Sequence, residues 1–342
     1  MPYSDRIIGF STGAIAKGDF RRALAALRRA SVKAVELSAL REDELPELSR
    51  SLPRLDLEGF EYVSVHAPSK FSRLTQQEVI DLLGVAAAHR FPIVIHPDTI
   101  ESPEPWTPFG QLLTIENMDK RKPIGRTSAE LQALFEQLPE ARLCFDVAHA
   151  RQIDPTMVES TQILRDFKDR ICEVHASGLT ARSTHGPIST AASFAYSSLA
   201  HLIPSTIPII LESPVDERLI SSEINFAADT FSPWLERLRA DIEDVFDLRV
   251  ETLRKTQVEH FLYTLQMTHI RLDDFESVVS HLPSGGAFES HQVLMTARDL
   301  LEMLSEEQKY RLRDYLHQLV RSLAAEFPDL KSRFRDQFAN VE

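Results

Sequence analysis

Through the first 215 residues, short runs of β-branched and apolar residues alternate with amphipathic stretches. The apolar runs predict eight strands: Arg6–Thr12, Ala34–Leu40, Tyr62–Pro68, Pro92–Thr99, Gln111–Asn117, Arg142–Ala148, Ile171–Ser177 and Ile207–Pro214. Stretches such as YVSV, PIVI and IPIIL read as parallel strands buried on both faces. Between them the spacing predicts helices over Asp19–Ala30, Thr75–His89, Ser128–Leu138 and Pro155–Phe167. Strands alternating with helices in this way predict an α/β fold, a (β/α)8 TIM barrel. One unit departs from the pattern. Pro97–Gly110 carries Pro97, Pro103, Pro105 and Pro108 and is expected to be loop, because proline cannot donate the hydrogen bond a helix interior needs.

After about Ile220 the strand signal stops. Pro233–Leu265, His291–Leu304 and Glu306–Phe327 read as helices, with Ser280–Ser290 as a flexible break. The expected organisation is a barrel over residues 1–240 and a C-terminal α-helical extension over 241–342. Val245, Leu248, Phe261, Leu262 and Leu265 suit packing positions in that extension, which could serve as a lid, a dimer surface or a partner dock.

Composition adds exclusions. The 342 residues, 43% hydrophobic and 26% charged, suffice for a substantial core. A net charge of -13 gives no basic footprint for nucleic acid or anionic lipid, although bound divalent cations can invert the local field. DNA is thus a possible substrate that the surface charge does not support. Two cysteines, Cys144 and Cys172, cannot build a disulfide framework, so the cytoplasm is the expected compartment. No run approaches the roughly 18 apolar residues of a membrane span, and the N-terminal residues carry no signal-peptide pattern.

The chemistry gathers where the strands end. Strand three ends at His66, strand four at His96, strand five at Glu116, strand six at Asp146 with His149, strand seven at His175 with His185 soon after, and strand eight at Glu212. This barrel type carries its active site at that end. Taken singly, each residue has a plainer explanation: a lone histidine is usually a core or surface residue, and Asp146 could simply cap a helix. Jointly they differ, because six successive strands ending in imidazole or carboxylate would bury unpaired charge unless a divalent metal shares them. His89, His201, His260, His269, His281, His291 and His317 lie on predicted helices or in the tail, away from strand-end carboxylates. Glu36 could touch substrate or be structural. Glu173 is expected to face outward, and Cys144 and Cys172 to be structural thiols.

The segments VHAP, IHP, IEN, FDVAHA, EVHAS, THGPI and ILES, in this order across residues 62–214, resemble the xylose isomerase-like TIM-barrel superfamily. That superfamily includes sugar isomerases and epimerases and the bacterial type of apurinic/apyrimidinic endonuclease. In the epimerases the resemblance implies one divalent ion held by Glu116, Asp146, His175 and Glu212, with Glu116 and Glu212 catalytic in moving the substrate proton. In the endonuclease branch it implies a further ion on His66, His96 and Glu116, which bridges to the first set. It also implies a third ion on His149, His185 and an aspartate two residues before His185. Here that position is Ser183, so two ions are expected. Zinc is the leading metal, with manganese, magnesium or iron as alternatives. Hydrolysis of a phosphoester leads, sugar or sugar-phosphate isomerisation on one ion follows, and an iron-dependent oxidase uses the same ligand types. A barrel that has lost activity and serves as a binding scaffold is disfavoured by the intact ligand set.

Overall fold

The computed structural model describes residues 6–180 and 182–232. The chain divides into two units, residues 1–188 with 195–232 and residues 189–194 with 233–342, and the first holds the architecture described here. The predicted helical extension, residues 241–342, lies outside the described residues.

The strands are β1 (Ile8–Ser11), β2 (Ala34–Ser38), β3 (Tyr62–His66), β4 (Ile93–Ile95), β5 (Leu113–Glu116), β6 (Arg142–Asp146), β7 (Ile171–Ala176), β8 (Gly178–Leu179), β9 (His185–Gly186) and β10 (Ile209–Leu211). All but β8 and β9 close into a barrel in the order β1-β10-β7-β6-β5-β4-β3-β2, and its pairs are parallel. The predicted TIM barrel is the observed fold. At Gly9 the wall admits only glycine, since a Cβ there would stand 1.9 Å from the Ala34 carbonyl oxygen on β2.

Helices between the strands begin on side-chain caps. Thr75 and Glu78 form a reciprocal capping box at Gln76–Ala88, and Asp19 accepts from the Arg22 N–H at the start of Phe20–Arg29. The segment expected to be loop is organised differently. Pro97–Thr99 and Glu104–Leu112 are 3-10 turns, with Gly110 at φ 53, and they bury Trp106 completely. Proline excludes an α-helix there but permits the tighter turn, which also takes Gln111 and Leu112 out of the predicted fifth strand.

Strand composition explains the two sides of the wall. Val35 and Leu37, Val63 and Val65, Leu113 and Ile115, Leu143 and Phe145 are buried apolar positions on β2, β3, β5 and β6. The residues between and after them are Glu36 and Ser38, Ser64 and His66, Thr114 and Glu116, Cys144 and Asp146, which are buried as well. Side chains two apart share a face, so these strands give their apolar set to one side and a polar set to the other. The polar side is where the strand-end residues converge.

Candidate metal centre

Each strand-end residue is fixed by its local chain. His66 closes β3, Glu116 closes β5 and Asp146 closes β6, while His175 lies one residue before the end of β7. His96 directly follows β4 and Glu212 directly follows β10. Asn117 ties two of these ends together: its amide donates to the Asp146 carbonyl at 2.8 Å, and its Oδ1 accepts from the Asp146 N–H at 2.7 Å. Asp146 also caps the helix Val147–Ile153, its Oδ1 accepting from the His149 N–H at 2.7 Å. The cap explanation and the ligand explanation therefore hold together, because capping uses only one carboxylate oxygen.

Two converging donor sets share Glu116. One comprises His66, His96 and Glu116, the other Glu116, Asp146, His175 and Glu212, and within each set the donor atoms lie within 4.8 Å of one another. Glu116 turns one oxygen to each. Its Oε2 lies 3.2 Å from His66 Nε2 and 3.1 Å from His96 Nε2. Its Oε1 lies 3.7 Å from His175 Nδ1 and 3.2 Å from His149 Nδ1. His175 Nδ1 is 3.8 Å from Glu212 Oε1.

The ring nitrogens show which atoms are available. His66 Nδ1 stands 2.6 Å from the Ala67 carbonyl oxygen, which can only accept, so Nδ1 carries the hydrogen and Nε2 keeps its lone pair for the site. Asp146 Oδ2 and His175 Nδ1 are buried without a hydrogen bond. Orphaned polar atoms converging in a dry site are costly, and a cation satisfies those that offer it a lone pair. Imidazole nitrogens with carboxylate oxygens suit zinc and the other first-row divalent ions. The residues fit such an ion.

Without an ion, protons take that part. Burial opposes charge on His66, yet Glu36 and Glu116 outweigh it and raise its pKa to about 9. His149 is lifted against burial to about 10 by Asp146 and Glu116. Burial pushes Asp146 up to about 6, with Glu116 and Glu212 adding to the rise and His149 opposing it. Glu116 is held well below the usual range despite burial, by His96 and its other imidazole neighbours. His96 goes the other way, lowered first by burial.

The remaining candidates lie beside these sets. His149 and His185 have ring centroids 5.7 Å apart, and neither enters a converging group of three or more among the described residues. The hairpin of β8 and β9 brings His185 back to Ser177, whose Oγ is 2.9 Å from its Nδ1, with Glu212 Oε2 at 3.5 Å. Ser183 instead donates to Gln152 Oε1 at 2.6 Å. His149 Nε2 stands 4.0 Å from Asp119 Oδ2, and Arg121 occupies that carboxylate.

Of two buried acids beside His175, Glu173 corrects the sequence expectation and Glu36 takes up the structural alternative left open for it. Glu173 does not face outward: it is fully buried with Oε1 2.7 Å from His175 Nε2. Alternation has a period of two, so residues 173 and 175 share a face, and the expectation of opposite faces misapplied it. Glu36 is also fully buried, its Oε2 3.1 Å from the same nitrogen. The i, i+2 spacing in ICEVH and the carboxylate inside AVELS were the available signals. Burial keeps both cysteine thiols neutral, Cys144 raised well above its ordinary value and Cys172 to about 12, as fits structural thiols.

No protein-family model and no curated protein matches the chain. Among solved structures the chain is similar to endonuclease IV from Thermus thermophilus, 18% identical with a TM-score of 0.45, covering 68% of this chain and 99% of that one. It is similar to a xylose isomerase domain containing protein from Salmonella typhimurium, 17% identical with a TM-score of 0.41, covering 68% and 99%. It is also similar to the Yersinia pestis dihydropteroate synthase, 13% identical with a TM-score of 0.39, covering 69% and 93%. The chemistry rests on the side chains themselves.

Proposed function

We propose that this chain is a metal-dependent hydrolase of phosphoesters built on a two-ion centre. The observation that supports this reading is Glu116: one buried carboxylate whose two oxygens face two different donor sets. His66, His96 and Glu116 would hold one ion, and Glu116, Asp146, His175 and Glu212 the other. Divalent ions so held supply water activation, neutralisation of phosphate oxygens and stabilisation of a leaving oxygen.

The chain's own residues do the positioning. Asn117 locks β5 to β6 and so sets Glu116 beside Asp146. His66 is fixed as an Nε2 donor by the Ala67 carbonyl. His149 and His185 flank the centre, and His185 Nδ1, near Glu212, is placed to hold or move a proton at the mouth.

A second reading is an isomerase or epimerase of sugars or sugar phosphates. Glu116, Asp146, His175 and Glu212 form a complete four-donor set by themselves, with two glutamates to shuttle a proton. Assays of the zinc- or manganese-loaded protein separate the two. The first reading expects cleavage of bis(p-nitrophenyl) phosphate or of abasic-site DNA that stops with a chelator. Aldose–ketose or epimer interconversion with no phosphoester cleavage would overturn it.

A further inference from the structure

The two-ion reading leaves two buried carboxylates without a task. Glu36 on β2 and Glu173 on β7 start three strands apart round the barrel, yet both reach one atom. Glu173 Oε1 is 2.7 Å and Glu36 Oε2 3.1 Å from His175 Nε2. We propose that they form a positioning pair: Glu173, backed by Glu36, holds the ring hydrogen of His175 on Nε2 and so turns the Nδ1 lone pair towards Glu116, Asp146 and Glu212. The purpose of the pair rests on the metal-centre reading; its geometry does not.

The distances favour a clamp over another ion site, although Cys144, Glu173 and His175 converge, as do Glu36, His66 and His175, whose His66 Nε2 already faces Glu116 at 3.2 Å. Two donors of one tetrahedral zinc, each about 2.0–2.2 Å from it, stand roughly 3.3 Å apart. The 2.7 Å between Glu173 Oε1 and His175 Nε2 is a charge-assisted hydrogen bond instead. Carboxylates without protons only accept, so the hydrogen between them and the ring belongs to Nε2. One N–H cannot serve both acids fully. Glu173 makes the hydrogen bond, while both Glu36 oxygens remain without one. Glu36 therefore acts by position, its Oε2 closing the β2 side of the Nε2 hydrogen at 3.1 Å. An imidazole that donates to a carboxylate at one nitrogen is more basic at the other, which strengthens it as a ligand. Glu173 lies two residues before His175 on the same strand, so one stretch of β7 supplies both the ligand and its clamp.

The test uses the full chain, metal-free and zinc-loaded, with Glu173→Leu, Glu173→Gln and Glu36→Gln. Zinc affinity is read by competition with a chromophoric chelator. The ring hydrogen of His175 is read by nitrogen-15 NMR, with His175→Gln identifying its signals. The wild-type ring is expected to carry hydrogen on Nε2. Glu173→Leu should weaken zinc at the set containing His175 by about 10- to 100-fold, as loss of an outer-shell partner does. Glu173→Gln, whose Oε1 still accepts, should recover most of that loss, and Glu36→Gln should lose less than Glu173→Leu. The unfolding midpoint of metal-free Glu173→Leu falls whether the role is structural or positioning, because a buried hydrogen bond is lost, so zinc affinity measured on the folded variant decides. A merely structural Glu173 lowers the midpoint at unchanged zinc affinity and would overturn the proposal. So would a wild-type ring with a bare Nε2. If the wild type binds no zinc, the two-ion reading fails, while the position of the ring hydrogen still decides the clamp.

Discussion

Replacing His96 by alanine removes one of the three donors, His66 Nε2, His96 Nε2 and a Glu116 oxygen, that converge beside β4. Structural zinc sites of four ligands bind with about 10–16 kcal/mol, so one ligand carries about 2.5–4 kcal/mol. His96 stands at the rim with its side chain 13% exposed, which places it at the low end of that range. About 3 kcal/mol is roughly a hundredfold in affinity. The other set keeps all four of its donors, so His96→Ala should retain one tightly held ion and lose the other on dialysis. The metal-free protein should lose some stability as well, because His96 Nε2 stands 3.1 Å from buried Glu116 and helps hold that carboxylate in its charged form. Phosphodiester cleavage should fall by orders of magnitude, since the lost ion would have stabilised developing charge. The assay pairs ions per chain by elemental mass spectrometry with cleavage of bis(p-nitrophenyl) phosphate. A variant that holds as many ions as wild type, equally tightly, would refute the assignment of His96 as a ligand.

Further outcomes follow from the same geometry. Asp146→Asn should keep the cap on the His149 N–H but empty the set with His175, whereas Asp146→Ala should cost about 1 kcal/mol more stability through the lost cap; calorimetry with metal analysis separates them. His66 and His149 have pKa values raised from 6.5 to about 9 and about 10, so their contribution to stability is full below pH 6.5 and lost as pH rises through those values. The urea midpoint of the metal-free protein should accordingly fall from pH 6.5 to 10, and an unchanged midpoint would contradict the charged pairs. Gly9→Ala should destabilise the barrel by about 1–3 kcal/mol or more, because the new Cβ meets the Ala34 backbone; a melting curve matching wild type would show that β1 and β2 can separate freely.

The barrel is legible in the sequence because each strand is an apolar run bounded by turn residues, and helices such as Gln76–Ala88 carry their caps in plain sight. The converging residues are legible because the strand ends are where an apolar run abruptly yields His, Asp or Glu. What lies deeper is harder to read. Glu173 and Glu36 sit inside apolar runs; the i, i+2 spacing pairs Glu173 with His175, but Glu36 reaches that ring only through barrel closure, which no local spacing reveals. The double use of Asp146, one oxygen capping and one facing the site, likewise depends on the angle at which β6 enters its helix. The proline-rich stretch shows the converse limit: proline forbids the α-helix, but only the packing of Trp106 decides that the chain coils into 3-10 turns.

The claim on which the rest depends is that Glu116 bridges two ions. Anomalous diffraction at the zinc edge, from crystals of the full chain grown with zinc, measures it directly. Two peaks flanking Glu116 are expected, one among His66 and His96 and one among Asp146, His175 and Glu212. A single peak on the second set, with His66 and His96 bare under saturating zinc, would contradict it.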